Sequence, residues 1–179
     1  ETSRSPFVLS KNIALREARR LGNHLAHFRT GQYKVIRTGT QYRDSIRDGR
    51  QVWINGESVK DGTTHPMFKP LVDIRERSYD MQHEAALRDA LTYDEGDGER
   101  HPVAFKLPVT RQDWWDKRRA TDLVLEDIGG VVTRVGDETV GEMWSLFDGQ
   151  DVLNELDPRF SANIRAHINH VVHADPFHV

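Results

Sequence analysis

Apolar positions Ile13, Ala14, Ala18, Leu21, Leu25 and Phe28 recur at three- and four-residue spacing, which predicts an amphipathic helix over residues 10–28. Residues 1–8 read as a loose arm, and a linker around Gly31 follows the helix. Thr38-Gly39-Thr40-Gln41 then has the form of a capping box, whose Thr hydroxyl and Gln amide satisfy orphan backbone donors of a short helix. Tyr42 and Ile46 fall one turn apart on its inner face, and Gly49 stands where a left-handed terminating residue is expected.

Val52-Trp53-Ile54-Asn55-Gly56-Glu57-Ser58-Val59 predicts a β-hairpin, because Asn-Gly tolerates the two positive φ angles of a tight turn. Thr63-Thr64-His65-Pro66 introduces a helix with Leu71, Ile74, Ser78 and Met81 as its inner stripe. A second hairpin is expected between residues 91–93 and 103–107, turning at Glu95-Gly96-Asp97-Gly98. Thr110 caps a further helix, with Asp113 at its third position, that runs to about Asp127 before Gly129-Gly130. Another helix follows Asp137, and Asp157-Pro158 starts the last, with proline at the first helical position. The fold class is mainly α, with five or six helices and two small β-hairpins. The chain stops soon after that last helix with no evident cap, so the pattern reads as an interrupted element and the chain as a fragment.

Composition narrows the function classes. The chain has 179 residues, 37% hydrophobic and 30% charged, as expected of a globular domain rich in exposed helix faces. No apolar run approaches the roughly 18 residues that span a bilayer, and the start lacks a secretory signal pattern, so no membrane partner is expected. A net charge of -3 and a pI near 6.3 offer no basic surface for nucleic acid. The basic clusters at residues 16–20 and 117–119 alternate with acids and read as solvated faces. Cysteine is absent, which rules out disulfides and thiolate metal sites in this segment and fits a reducing cytoplasm.

A series of motifs carries more. Arg37-Thr38-Gly39-Thr40-Gln41-Tyr42 is followed by Asp48-Gly49-Arg50-Gln51 and the hairpin sequence. Thr63-Thr64-His65-Pro66-Met67-Phe68, Tyr79-Asp80-Met81-Gln82-His83 and Leu91-Thr92-Tyr93 come next. In order and spacing this series resembles the opening of the 4-hydroxyphenylacetate 3-hydroxylase family. A looser likeness continues through Lys117-Arg118-Arg119 and Asn163-Ile164-Arg165. The resemblance implies an acyl-CoA dehydrogenase-like subunit. Residues 1–36 would be an amino-terminal arm and helix, and residues 37–179 the helical amino-terminal domain. A middle β domain and a carboxy-terminal helical bundle would lie outside this chain. It further implies a homotetramer that takes reduced FAD from a separate flavin reductase and hydroxylates a small aromatic substrate with O2.

The same resemblance places the candidate site. Val132-Thr133-Arg134-Val135-Gly136-Asp137-Glu138 occupies the family's substrate loop, with Arg134 at its arginine and Glu138 where the family has tyrosine. A guanidinium there would hold a phenolate or carboxylate through paired hydrogen bonds; the plainer reading is a surface arginine paired with Asp137 or Glu138. Glu138 would repel an anionic substrate but could accept a proton from a neutral phenol or nitrogen heterocycle; as a helix-start acid it would also suit the dipole. Aligned without a gap, the family's substrate histidine falls just beyond Val179; a shift selects His178 as the third candidate acid or base, against a merely structural or exposed histidine. No flavin ligand is assigned in this segment.

His167, His170 and His173 recur at three-residue steps that drift around a helix, so no metal site is assigned and a wet helix face is expected. Trp114 and Trp115 read as core packing with partial exposure. Two alternatives to the oxygenase stand. A non-catalytic helical interaction module would keep the domain without the flavin site. A 4-hydroxybutyryl-CoA dehydratase-like lyase would need cluster cysteines near residues 130–140, where there are none.

Overall fold

The computed structural model describes residues 36–96, 98–130 and 138–176; the side chains of residues 138–140 are outside that description. The helix expected over residues 10–28 also lies outside it. Within the described residues the chain is mainly helical, with two small antiparallel hairpins.

Helix α1, Gly39–Ser45, begins with the expected capping box: Thr38 Oγ1 accepts from Gln41 N (3.2 Å) and Gln41 Oε1 accepts from Thr38 N (2.9 Å). Its end differs from expectation. Ile46 caps it in the right-handed region, and Gly49 (φ 78°) lies further on, in the turn before β1. Ser45 Oγ donates to the Tyr42 carbonyl and Arg47 N to the Asp44 carbonyl, so the last turn needs no left-handed residue. Strands β1, Val52–Ile54, and β2, Glu57–Val59, pair in the register set by Asn55 (φ 51°) and Gly56 (φ 84°).

Helix α2, Lys69–Asp80, starts later than Thr63-Thr64 suggested. Those residues form a turn in which Asp61 Oδ1 accepts from Thr63 N (2.8 Å) and Thr63 Oγ1 (2.7 Å). The inner stripe is also rotated. Val72 and Tyr79 are buried, whereas Leu71 is 40% exposed. Tyr79 takes the inner place because its ring stacks on Tyr42 at 5.1 Å while its hydroxyl finds a buried acceptor. Gly39 lets α1 sit directly against α2: a Cβ there would fall 2.3 Å from Glu76 Cγ and 2.5 Å from the Glu76 carbonyl oxygen. The Gly39 N–H donates to Asp80 Oδ1 (2.7 Å) across the same contact.

A 3-10 turn, Met81–His83, and helix α3, Arg88–Leu91, lead to strand β3, Thr92–Asp94, which pairs with β4, Arg100–Pro102. The second hairpin is therefore present, but its second strand is Arg100–Pro102 and not the expected residues 103–107. Pro102 has no N–H for a ladder, and Val103–Phe105 turns into a 3-10 segment. Helix α4, Arg111–Asp127, has the capping box of Thr110 and Asp113 and ends with Gly129 and Gly130 at positive φ, where Gly130 N donates to the Leu125 carbonyl (2.7 Å). Helices α5, Glu138–Asp148, α6, Gln150–Asn154, and α7, Arg159–Ala174, complete the order.

The buried apolar residues form three small clusters. Tyr42, Val72 and Tyr79 join α1 to α2; Met81, Leu91, Val103, Ala120 and Val124 seat α4; Phe105, Met143, Trp144, Phe147, Val171 and Val172 join α5 to α7. Lys117 links the last two. Its amine donates to the carbonyls of Val103 (3.0 Å) and Ala104 (2.6 Å) and lies 5.7 Å from the Trp144 ring centre, so it does not belong to the expected solvated face. Trp114 and Trp115, by contrast, are more than half exposed.

Two outcomes test this packing. Gly39→Ala should destabilise the fold by roughly 1–3 kcal/mol, because backbone of α2 must move to admit the methyl group; denaturant unfolding of an unaffected variant would refute the close approach. Burial, with Lys106 nearby, holds the Lys117 amine down at about 7 from its ordinary 10.5. The unfolded chain then binds more protons between about pH 7 and 10, so this group's contribution to stability rises with pH across that window. The thermal midpoint of the native protein should therefore gain on that of Lys117→Met as pH goes from 7 to 10, and a constant difference would contradict the buried amine.

Candidate functional site

The strongest concentration of buried polar chemistry lies where the ends of the described fold meet. Asp175 follows α7, is 3% exposed and adopts the left-handed conformation (φ 43°, ψ 53°). A non-glycine residue pays about 1–2 kcal/mol for that conformation, and it persists where surroundings enforce it. Here they do. Arg37 N donates to Asp175 Oδ2 (2.9 Å), Gln82 Nε2 reaches the same oxygen at 3.5 Å, and Tyr79 Oη donates to the Asp175 carbonyl (3.1 Å). The Asp175 N–H in turn closes the last turn of α7 on the Val171 carbonyl.

Arg37 completes the node from the other side. Its guanidinium lies 5.3 Å from the Tyr79 ring centre and donates to the carbonyl of Gln41 (3.0 Å), to Ser45 Oγ (2.6 Å) and, at 3.4 Å, to the Asp175 carbonyl. His83 Nε2 donates to the Arg37 carbonyl (3.0 Å). Burial pushes the Asp175 carboxyl up to about 7, while the Arg37 N–H and guanidinium pull it the other way. Burial likewise raises the Tyr79 hydroxyl, with Asp175 adding to the effect, so it stays a proton donor.

A second buried group lies beside it. His101 is fully buried; its Nδ1 donates to the Val172 carbonyl (3.4 Å), and its ring meets His173 edge-on at 5.3 Å. His173 Nδ1 donates to the Asn169 carbonyl (2.9 Å). His167 and His170 are exposed, on the wet helix face that their spacing suggested.

The residues singled out from sequence sit at the margins of this frame. Arg134 and His178 lie outside the described residues. Glu138 is the first residue of α5, and its side chain is outside the description too. What the structure places is their flanks: Gly130 at the end of α4, the start of α5, and Asp175 three residues before His178. Asp175, Tyr79, Arg37 and His101 were not read from sequence as a group. Asp175-Pro176 after a helical stripe was the available signal, since aspartate tolerates the left-handed region and proline commonly follows a helix end. The helix thus has the cap that the sequence seemed to lack.

A family model described as 4-hydroxyphenylacetate 3-hydroxylase N terminal matches residues 38–179. Over 132 residues the chain is 31% identical to the 4-hydroxyphenylacetate 3-monooxygenase oxygenase component of Thermus thermophilus, covering 73% of this chain and 26% of that protein. It is 35% identical over 100 residues to the oxygenase component of the 4-nitrophenol 4-monooxygenase/4-nitrocatechol 2-monooxygenase of Rhodococcus opacus, covering 55% of this chain and 19% of that one. The crystal structure of an oxygenase component of 4-hydroxyphenylacetate 3-monooxygenase superposes with a TM-score of 0.60 at 26% identity, covering 75% of this chain and 28% of that one. A form complexed with FAD and 4-hydroxyphenylacetate gives 0.56 at the same identity and coverage. The chain spans about a quarter or less of the length of these relatives. It belongs to the 4-hydroxyphenylacetate 3-hydroxylase family, of which it carries the amino-terminal region.

Proposed function

We propose that this chain is the amino-terminal part of the oxygenase component of a reduced-FAD-dependent monooxygenase that hydroxylates a phenolic or heteroaromatic substrate with O2. The observation that carries the reading is the family match across residues 38–179, joined to a structural likeness with an oxygenase bound to FAD and 4-hydroxyphenylacetate. In this reading residues 1–36 form an arm and helix, and residues 37–179 the helical domain of an acyl-CoA dehydrogenase-like subunit. A middle β domain and a carboxy-terminal bundle come from further polypeptide. The assembly is a cytoplasmic homotetramer served by a separate flavin reductase. No described helix is long and apolar enough to cross a membrane.

No flavin ligand is assigned among the described residues. A dinucleotide needs donors for its diphosphate, and three of the described basic side chains are already engaged by protein acceptors. Arg43 binds Glu76, Asp73 and the Thr63 carbonyl; Arg37 binds Gln41, Ser45 and Asp175; Lys117 binds two carbonyls. The flavin contacts are therefore assigned to the remaining polypeptide. Support for a wall rather than a closed unit comes from the small core clusters and from large apolar side chains left open, among them Trp53 (65% exposed) and Leu156 (79%).

The substrate side of the site is assigned to Arg134, Glu138 and His178. Arg134 holds the phenolic oxygen or a substrate carboxylate through paired hydrogen bonds. Glu138 accepts a proton from a neutral phenol or heterocycle, and His178 exchanges a proton with the ring hydroxyl.

The test uses the full-length polypeptide, titrated anaerobically with reduced FAD and then mixed with O2 and 4-hydroxyphenylacetate or 4-nitrophenol. Tight binding of reduced FAD and formation of hydroxylated product are expected. Arg134→Ala should lower kcat/KM by about 10- to 100-fold, the worth of a charge-assisted contact. Absence of reduced-flavin binding would overturn the oxygenase assignment; an unchanged kcat/KM would remove Arg134 from the site.

A further inference from the structure

The carboxyl group of Asp175 is buried without an ion pair among the described residues. The Arg37 guanidinium turns to the Asp175 carbonyl (3.4 Å), which leaves the carboxyl to the Arg37 backbone N–H (2.9 Å) and the Gln82 amide (3.5 Å), both on Oδ2. The Gln82 side chain is itself buried, and its Oε1 has no hydrogen-bond partner among the described residues. An unpaired buried acceptor is costly, so the node is one donor short. A proton on Asp175 supplies it. A neutral carboxyl still accepts from Arg37 N and offers an O–H to the amide oxygen, which a half-turn of the Gln82 amide brings to the Oδ2 side.

The other charged and titratable groups that face the node are committed elsewhere. Tyr79 on α2 donates to the Asp175 carbonyl, Asp80 accepts from Gly39 N, and Arg75 reaches the Tyr42 hydroxyl at 3.5 Å. His83 in the 3-10 turn donates to the Arg37 carbonyl, His101 on β4 to the Val172 carbonyl and His173 on α7 to the Asn169 carbonyl.

We propose that Asp175 is a proton-operated latch between Arg37, ahead of α1, and the end of α7: closed while the carboxyl is neutral and paired with Gln82, loosened when it ionises. Burial holds this carboxyl up at about 7 from its ordinary 3.8, against the pull of Arg37 and Gln82. Between about pH 4 and 7 the closed latch therefore keeps a proton that the opened chain releases. Its contribution is complete below about pH 4 and is lost as pH rises through about 7. Loosening separates Arg37 from the end of α7 and leaves the apolar clusters, which contain neither Arg37 nor Asp175, in place.

The experiment is amide hydrogen exchange on the full-length polypeptide between about pH 5 and 8. The amides of Arg37 and Asp175 are read against those of the β1–β2 hairpin in the same molecule, which cancels base catalysis of exchange. Both are expected to gain about 10-fold on the hairpin as pH rises across that range. Asp175→Asn keeps an oxygen for the Arg37 N–H but cannot ionise, so the gain should shrink to less than about 2-fold. No gain in the native protein would overturn the latch. A gain that survives in Asp175→Asn would overturn it too, since it then belongs to a histidine, a side chain that ordinarily titrates in the same range. Where Asp175→Asn does not fold, His83→Gln decides, because it keeps a donor for the Arg37 carbonyl and removes the titrating ring. The gain should remain in that variant, and its loss would move the switch to His83 and reject Asp175.

Discussion

The buried carboxyl group of Asp175 is the constraint on which the arrangement of the described chain depends. The three apolar clusters, one of which packs Phe105 against Val171 and Val172, include neither Arg37 nor Asp175. Contacts separated by 138 and 96 residues in sequence bring these positions together instead. Withdrawing a carboxylate from water is costly, so the tie holds only because Arg37 N, Gln82 and the cation over Tyr79 compensate it in one geometry.

Local chemistry made much of the fold readable. Both capping boxes, the Asn55-Gly56 turn and the Gly129-Gly130 stop depend on a few adjacent residues, and all stand in the structure where the sequence predicts them. The misreadings share a cause. Apolar spacing alone favours Leu71 over Tyr79 because it undervalues a tyrosine whose ring is buried and whose hydroxyl is satisfied at a distance, whereas Met81 is buried as expected. Helices α3 and α6, of four and five residues, are too short to show a period. The second strand of the second hairpin lies at Arg100–Pro102, ahead of the expected residues 103–107, because the chain turns into a 3-10 segment directly after Pro102. Lys117 looked like a surface cation because nothing local reveals that its acceptors are the carbonyls of a preceding turn.

The candidate site was legible only through family resemblance. Arg134, Glu138 and His178 carry no local signature that separates them from surface residues, and their side chains lie outside the described structure. The structure contributes the frame around them: a helix stopped by two glycines, a helix that begins at Glu138, and a pinned turn three residues before His178. A segment of this kind makes physical sense as one wall of a chamber. Arg43 and Lys117 bind the protein's own carboxylates and carbonyls, the apolar clusters are small, and several large apolar side chains are exposed.

The central claim is that this segment faces phenol and flavin in a longer oxygenase. It is tested most directly by a structure of the full-length polypeptide with FAD and 4-hydroxyphenylacetate bound, from which the distances of Arg134 and His178 to the phenolic oxygen can be measured. The account predicts that at least one of the two lies within hydrogen-bonding reach, about 3 Å. Both side chains turned away from the ligand, across a wall that closes on its own core, would contradict it.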